Sequence, residues 1–265
     1  MTTLEHFNQG RLQDAIAEAT SGVKAKPSDP DRRALLADLL IFAGEYERAD
    51  KHLEAVTTLS PGSVAVVSLV RQLVRAEQWR QQFHVEGRAP EFLDKPNDRL
   101  QLQLRASIAL REGAVDEATT LLAEAEEQRG KIACTSDDQA YEDIRDCDDL
   151  LAGVFEVFTS TGKYYWIAME DVKLLEPRPI ERPRDLLWRR FHMDVDGGPE
   201  GEVYIPSLYA PMAADAPETV RLGRMTDFSE SEPVRGTGRR LFLLGDDVAT
   251  IDEIPTLRLG AAAEA

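Results

Sequence analysis

Apolar side chains recur every three or four positions through the first 130 residues and every second position through much of the remainder. Leu35, Leu36, Leu39 and Leu40 form one stripe and predict a helix over 31–43. Val66, Val67, Val70, Leu73 and Val74 do the same for 64–77. Leu100, Leu104 and Ile108 predict an inward face for 99–112, and Leu121, Leu122 and Ala125 one for 116–129. The segment 87–97, rich in Gly, Pro and Asn, interrupts this helical texture.

The helical part repeats itself. Gly10-Arg-Leu12-x-x-Ala15 and Gly44-Glu-Tyr46-x-x-Ala49 lie 34 residues apart, and the same offset carries Ala19 onto Leu53 and Pro27 onto Pro61. A third copy, Gly113-Ala-Val115-x-x-Ala118 with Leu122, follows two periods and one residue later. The pattern predicts helical hairpins. Glycine turns the corner in the left-handed region, alanine lets two helices approach, and Leu12, Tyr46 and Val115 fill the space beside it. Proline ends the second helix of each pair. A plain bundle would explain the stripes but not the common register. This part resembles a tetratricopeptide array, whose helix pairs stack into a superhelix with a concave peptide-binding face. Its first-helix groove positions fall at Ala34, Asp38, Ile41 and Phe42, then at Ser68, Gln72 and Arg75.

After Gly130 the period changes. Residues 154–159 and 163–168, joined by Ser160-Thr161-Gly162, read as a β-hairpin. Further strands are expected at 172–176, 202–205, 239–244 and 248–251, with a short helix at 185–190. The fold class is therefore a multidomain α and β chain. A tetratricopeptide-like α-α superhelix over 1–130 precedes a β-rich α+β domain over 131–259 and a loose tail over 260–265.

With 265 residues, of which 43% are hydrophobic, the chain can bury a sizeable core. Its net charge of -17 argues against nucleic acid and anionic membrane surfaces as partners. The best apolar run, Val64 to Val70, is broken by Ser68 and is far too short to span a bilayer. The N-terminus carries no secretory pattern, so a cytoplasmic protein is expected. Cys134 and Cys147 read as ordinary reduced thiols.

No catalytic spacing emerges. The histidines form no metal pair, no nucleophile elbow or P-loop occurs, and Gly236-Thr-Gly238 lacks the third glycine of a dinucleotide loop. The expectation is a protein that is not an enzyme, with no cofactor and no metal. Two clusters remain. Seven acids between Asp137 and Asp149 read as a solvated face or loop. Within that run, Asp146 and Asp148 are placed either to chelate a divalent ion or act as acid and base, or to accept backbone N–H bonds and pair with Arg224 or Arg240. Tyr164-Tyr165-Trp166, in a strand, puts Tyr164 and Trp166 on one face and Tyr165 on the other, one face in the core and one open to a partner.

The second half resembles the ImpE family, also called TagJ or SciE-type virulence proteins, accessories of bacterial type VI secretion. The resemblance is carried by Asp146-x-Asp148 before Glu156, Gly162-Lys-Tyr164-Tyr165-Trp166, Asp185-Leu-Leu-Trp188, Ile205-Pro206-Ser-x-Tyr209, Arg221-Leu-x-Arg224-x-Thr226-Asp227, Gly236-x-Gly238-x-Arg240 and Ile251-Asp252-x-Ile254. Phe228 departs from the family's usual Trp. The resemblance implies a non-enzymatic adaptor that binds the N-terminal helix of the small sheath subunit TssB and so modulates sheath disassembly by the ATPase ClpV. In that reading Ile41 and Phe42 floor the groove and Asp38 favours a partner with basic flanks. Asp146, Asp148, Tyr164, Tyr165 and Trp166 offer a second contact. The alternative is a metal-dependent or enzymatic regulator built on the acidic cluster.

Overall fold

Each helical hairpin turns where the repeated glycine stands. In the computed structural model, which describes residues 1–136 and 139–260, the helices are α1 (Thr3–Asn8), α2 (Leu12–Ala25), α3 (Pro30–Phe42), α4 (Tyr46–Leu59), α5 (Val64–Glu86), α6 (Asp98–Glu112) and α7 (Val115–Arg129). Gly10, Gly44 and Gly113 have φ of 79°, 76° and 76°, where a side chain would be strained. The residue after each closes the preceding helix with a six-residue backbone bond: Arg11 to His6, Glu45 to Leu40, Ala114 to Ala109. Ala15, Ala49 and Ala118 are fully buried at the helix contacts. Helices α2 and α4 stop two residues before Pro27 and Pro61. Three expected core positions fail: Val66, Ile108 and Val115 are almost half exposed, the last two because α6 and α7 end the helical row and have no further helix to cover them.

The strands are β1 (Cys134–Ser136), β2 (Gln139–Tyr141), β3 (Ile144–Asp146), β4 (Val154–Phe158), β5 (Tyr164–Ala168), β6 (Val172–Pro177), β7 (Trp188–Val195), β8 (Glu200–Pro206), β9 (Thr226–Phe228), β10 (Gly236–Gly238), β11 (Leu241–Leu244), β12 (Asp247–Thr250) and β13 (Leu257–Leu259), with a one-turn helix α8 (Glu218–Arg221). Eight form one antiparallel sheet in the order β2-β1-β13-β6-β7-β8-β4-β5. A smaller sheet, β12-β11-β3, and the ribbon β10-β9 complete the unit. The 87–97 interruption has a structural use. Glu91 pairs with the open edge of β5, its N–H donating to Tyr164 O at 2.9 Å and its carbonyl accepting from Trp166 N at 3.0 Å, which protects that edge from other chains.

Two expectations need correction. The helix anticipated at 185–190 is a 3-10 turn at Pro183–Leu186 followed by the central strand β7, whose alternating Phe191, Met193 and Val195 are buried. Leu186, Leu187 and Trp188 are consecutive and carry no period-two alternation, which in β7 begins at Arg189. The acidic run is not one solvated loop: β3 passes through it, and Asp146 and Asp148 have no exposure. Asp137 and Asp138 of that run, and residues 261–265 of the anticipated tail, lie outside the described residues.

The large sheet is buried on both faces. Val154, Phe158, Tyr164, Trp166, Trp188 and Tyr204 join the helices in one apolar cluster that reaches back to Phe7. Phe155, Val157, Ile167, Phe191 and Ile205 face the other way, onto Ile144, Phe242, Leu244 and Ile251 of the smaller sheet and its flanks. The layers are helices, sheet, sheet. Because one core runs through the change from helix to strand between Arg129 and Cys134, both parts are expected to unfold in a single transition.

Candidate functional site

Where α5 lies on β4 and β5, the interface is ionic. Helix α5 runs nine residues past the predicted end, and the extension carries Arg80, Phe83 and His84 onto the sheet. Glu156 is the middle residue of β4 and points at that helix, flanked by Val154 and Phe158 on the same face. Arg80 Nη2 donates to Glu156 Oε2 at 2.7 Å and to Leu208 O at 2.8 Å. Arg240 Nη1 donates to the same Oε2 at 3.2 Å, and its Nη2 to Asp146 Oδ2 at 2.7 Å. Tyr164 donates its hydroxyl to Glu156 Oε1 at 2.5 Å, and accepts from Trp166 Nε1 at 2.6 Å. The Tyr209 hydroxyl lies 2.9 Å from Asp146 Oδ1, which also accepts from Asp148 N. Asp148 in turn takes the backbone N–H groups of Leu150 and Gly236 and the Arg235 guanidinium, each at 2.9 Å. Phe83 covers the cluster, its ring edge-on to Trp166 at 5.0 Å.

Carboxylates and cations thus alternate in a sealed chain, and each tunes its neighbour. Burial alone would push the Glu156 carboxyl up, but Arg80, His84 and Arg240 together hold it well below the usual carboxylate range. Burial pushes Asp146 up to about 6 against the pull of Arg240, with the nearby Asp148 charge acting in the same direction as burial. Burial and the adjacent Glu156 charge raise the Tyr164 hydroxyl well above its ordinary value, so it stays a donor. His84, 3.5 Å from Glu156, is pushed down by burial.

The expected site residues divide accordingly. Asp146 and Asp148 take the pairing alternative, the first with Arg240 and the second with Arg235 rather than Arg224, which instead holds Phe7 O. Among the described residues no group of three or more His, Cys, Asp or Glu side chains is arranged to hold a metal ion. Tyr164 and Trp166 share one face and are internal, as expected of one face of this strand, which removes them as partner contacts, and Tyr165 on the other face is half-buried.

The groove is corrected as well. Asp38, Ile41 and Phe42 are buried, at 3%, 2% and 5% exposure. Asp38 accepts from Arg184 Nη1 at 3.1 Å, and Leu187, Pro206, Leu208 and Met212 close over Ile41 and Phe42, leaving a cleft of about 350 Å³. The chain's own second half occupies the concave face. Ala34 is half-buried, Gln72 is half-buried against the Gly162 turn, and only Ser68 and Arg75 of the expected set stand exposed. Sequence reasoning named Glu156 and Tyr209 only within the family resemblance and gave them no role, and it missed Arg80, His84 and Arg235. Arg80 and His84 had a signal: they continue the three-and-four spacing of an α5 pattern that already held Val70 and Leu73 inward.

Residues 138–258 match the family model described as ImpE protein, and residues 6–73 match a tetratricopeptide repeat model. The chain is 26% identical over 244 residues to the type VI secretion system accessory component TagJ of Pseudomonas aeruginosa, covering 92% of this chain and 85% of that one. It is also similar to the crystal structure of a Vibrio parahaemolyticus protein, with a TM-score of 0.88 and 27% identity, each covered over 98% of its length.

Proposed function

We propose, for a chain that places an ImpE-family domain behind a tetratricopeptide-like array, a non-catalytic accessory role in type VI secretion: an adaptor that captures the N-terminal helix of the small sheath subunit TssB and so modulates ClpV-dependent sheath disassembly. The similarity to TagJ over nearly the whole chain supports the secretion role. The observation that carries the adaptor over the enzymatic alternative is the state of the acidic motif. Asp146, Asp148 and Glu156 have no exposure, and every one is saturated by arginine, tyrosine or backbone donors. Carboxylates so consumed hold two layers together and present nothing to a substrate. Adaptor surface must then lie outside the network, on the exposed faces of the helices.

The test is a binding titration of the purified full chain against the purified small sheath subunit of the same secretion system, with and without that subunit's N-terminal helix. A complex that forms only with the helix present is expected. No complex at tens of micromolar, or one indifferent to helix removal, would sink the reading. Stoichiometric divalent metal in the purified protein by elemental analysis would revive the regulator alternative.

A further inference from the structure

The concave face is filled, but a second trough is open beside it, between α4 and α5, and shares Tyr46 with the cleft over Ile41 and Phe42. Helices α3 and α4 pack along their length, whereas α4 and α5 diverge, because the C-terminal half of α5 leaves the row to lay Arg80 and Phe83 on the sheet. The divergence opens a furrow of about 500 Å³ between α4 and α5, continued past Tyr46 by a second hollow of about 360 Å³. Its floor is apolar: Ala49, Leu53 and Val74 lie along it, and the partly buried rings of Tyr46 and Trp79 flank its continuation. Its rim is basic. Lys51, Arg71, Arg75 and Arg88 face Glu47 and Asp50, and Asp50 is already taken by Arg71 at 2.5 Å. Lys51, Arg75 and Arg88 are exposed with no carboxylate within ion-pair distance among the described residues, and Arg88 is stacked over Trp79 at 3.9 Å.

Free cations around an apolar floor are out of character for a chain of net charge -17. At physiological ionic strength the screening length is about 8 Å, so a ligand seated in the furrow feels those cations more than the distant acids. The geometry points to the α4/α5 furrow as the docking site for an amphipathic helix whose apolar stripe is flanked by Asp and Glu. The inference rests on the adaptor reading, in that the occupant is a partner's helix, and it reverses the charge expected of that helix when Asp38 was assigned to the groove.

The experiment uses the full-length chain and two labelled synthetic helical peptides with the same leucine stripe, one flanked by Glu and one by Lys, read by fluorescence anisotropy. The Glu-flanked peptide is expected to bind at least about tenfold more tightly. Arg75→Glu with Arg88→Glu should abolish or invert that preference while lowering the thermal midpoint by no more than a few degrees, the share of the lost Arg88–Trp79 stack, and Arg105→Glu, an exposed cation on α6 outside the furrow, should leave the preference intact. Equal affinities, a preference that survives the double reversal, or an equal loss from Arg105→Glu would overturn the assignment. So would sedimentation showing the furrow filled by a second copy that the peptide cannot displace. The small sheath subunit is titrated in parallel. Its failure to bind wild type removes that partner without touching the peptide result, whereas its binding with no response to the double reversal removes the furrow.

Discussion

The stacked hairpins and the α5–β4 junction are held together by opposite means. From α1 to α4 the contacts are made by Leu12, Ala15, Leu36, Leu39, Ala49 and Leu53, none with a polar atom to satisfy. At the junction, Arg80, Glu156, Arg240 and Asp146 sit in a row with at most 1% exposure. Apolar packing is tolerant of neighbours: any side chain of suitable volume serves, so one solution can be repeated every 34 residues. A buried ionic chain is not tolerant, since each member is correct only if all the others are present. The array is therefore modular and the junction unique, and the uniqueness fixes how the strand-rich half seats on the array.

The sharpest way to break this contrast is Glu156→Gln. It keeps the volume and removes the charge shared by Arg80 and Arg240, leaving two buried guanidiniums for the single carboxylate of Asp146 plus Glu77 at 3.6 Å from Arg80. A loss of about 3–5 kcal/mol in denaturant unfolding is expected. An effect below about 1 kcal/mol, the range of a surface pair, would mean that the network is not energetically coupled.

A smaller effect tests the modular side. Ala15→Leu adds three carbons where α2 meets its neighbours, at a position with no exposure. Overpacking there is expected to cost about 1–3 kcal/mol. Ala118→Leu occupies the equivalent point of the third copy and should cost about the same, within roughly 0.5 kcal/mol, if the repeat is physical as well as textual. Widely different values, measured by the same unfolding curves, would show that α6–α7 is an unrelated hairpin.

This contrast also explains what could be read in advance. Glycine corners, the small alanine and the terminating prolines act within one hairpin, so Gly10, Gly44, Gly113, Pro27 and Pro61 announced themselves in the sequence. The β4–β5 hairpin was legible for the same reason, its turn at Gly162 being local. Arg80 meets Glu156 across 76 positions and Arg240 meets Asp146 across 94, and no local rule selects those partners. Arg240 was one of two candidates for Asp146, whereas nothing singled out Arg235 for Asp148. The groove was misread for a related cause. A tetratricopeptide pattern defines the concave face of Asp38, Ile41 and Phe42, but not that Arg184 and Leu187, about 145 residues later, will fill it.

The gentlest probe of the junction is protonation at His84. Its imidazole is buried beside Glu156, Arg80 and Arg235, and burial holds it below the ordinary value of 6.5. In the folded chain it is therefore neutral at a pH where the unfolded chain has already bound a proton. The unfolded state takes up more protons, so this residue's share of stability is present above pH 6.5 and declines as the pH falls below it. The limit is about 1.4 kcal/mol per pH unit for one proton. Asp146 acts in the opposite sense. Its carboxyl, raised to about 6 from 3.8, binds a proton first in the folded state and adds stability as the pH falls through that interval. The wild-type curve is thus partly flattened between pH 6 and 4. His84→Gln removes one of the two slopes, and the Asp146 contribution cancels when the two proteins are compared. The expected result is a wild type that loses ground to the variant steadily below pH 6.5, whichever is the more stable at pH 8. Parallel curves from pH 8 to 5 would show that folding leaves the proton affinity of His84 unchanged, and a wild type that gains on the variant as the pH falls would show that His84 carries its proton in the folded state, one more positive charge than the four-residue chain of Arg80, Glu156, Arg240 and Asp146 contains.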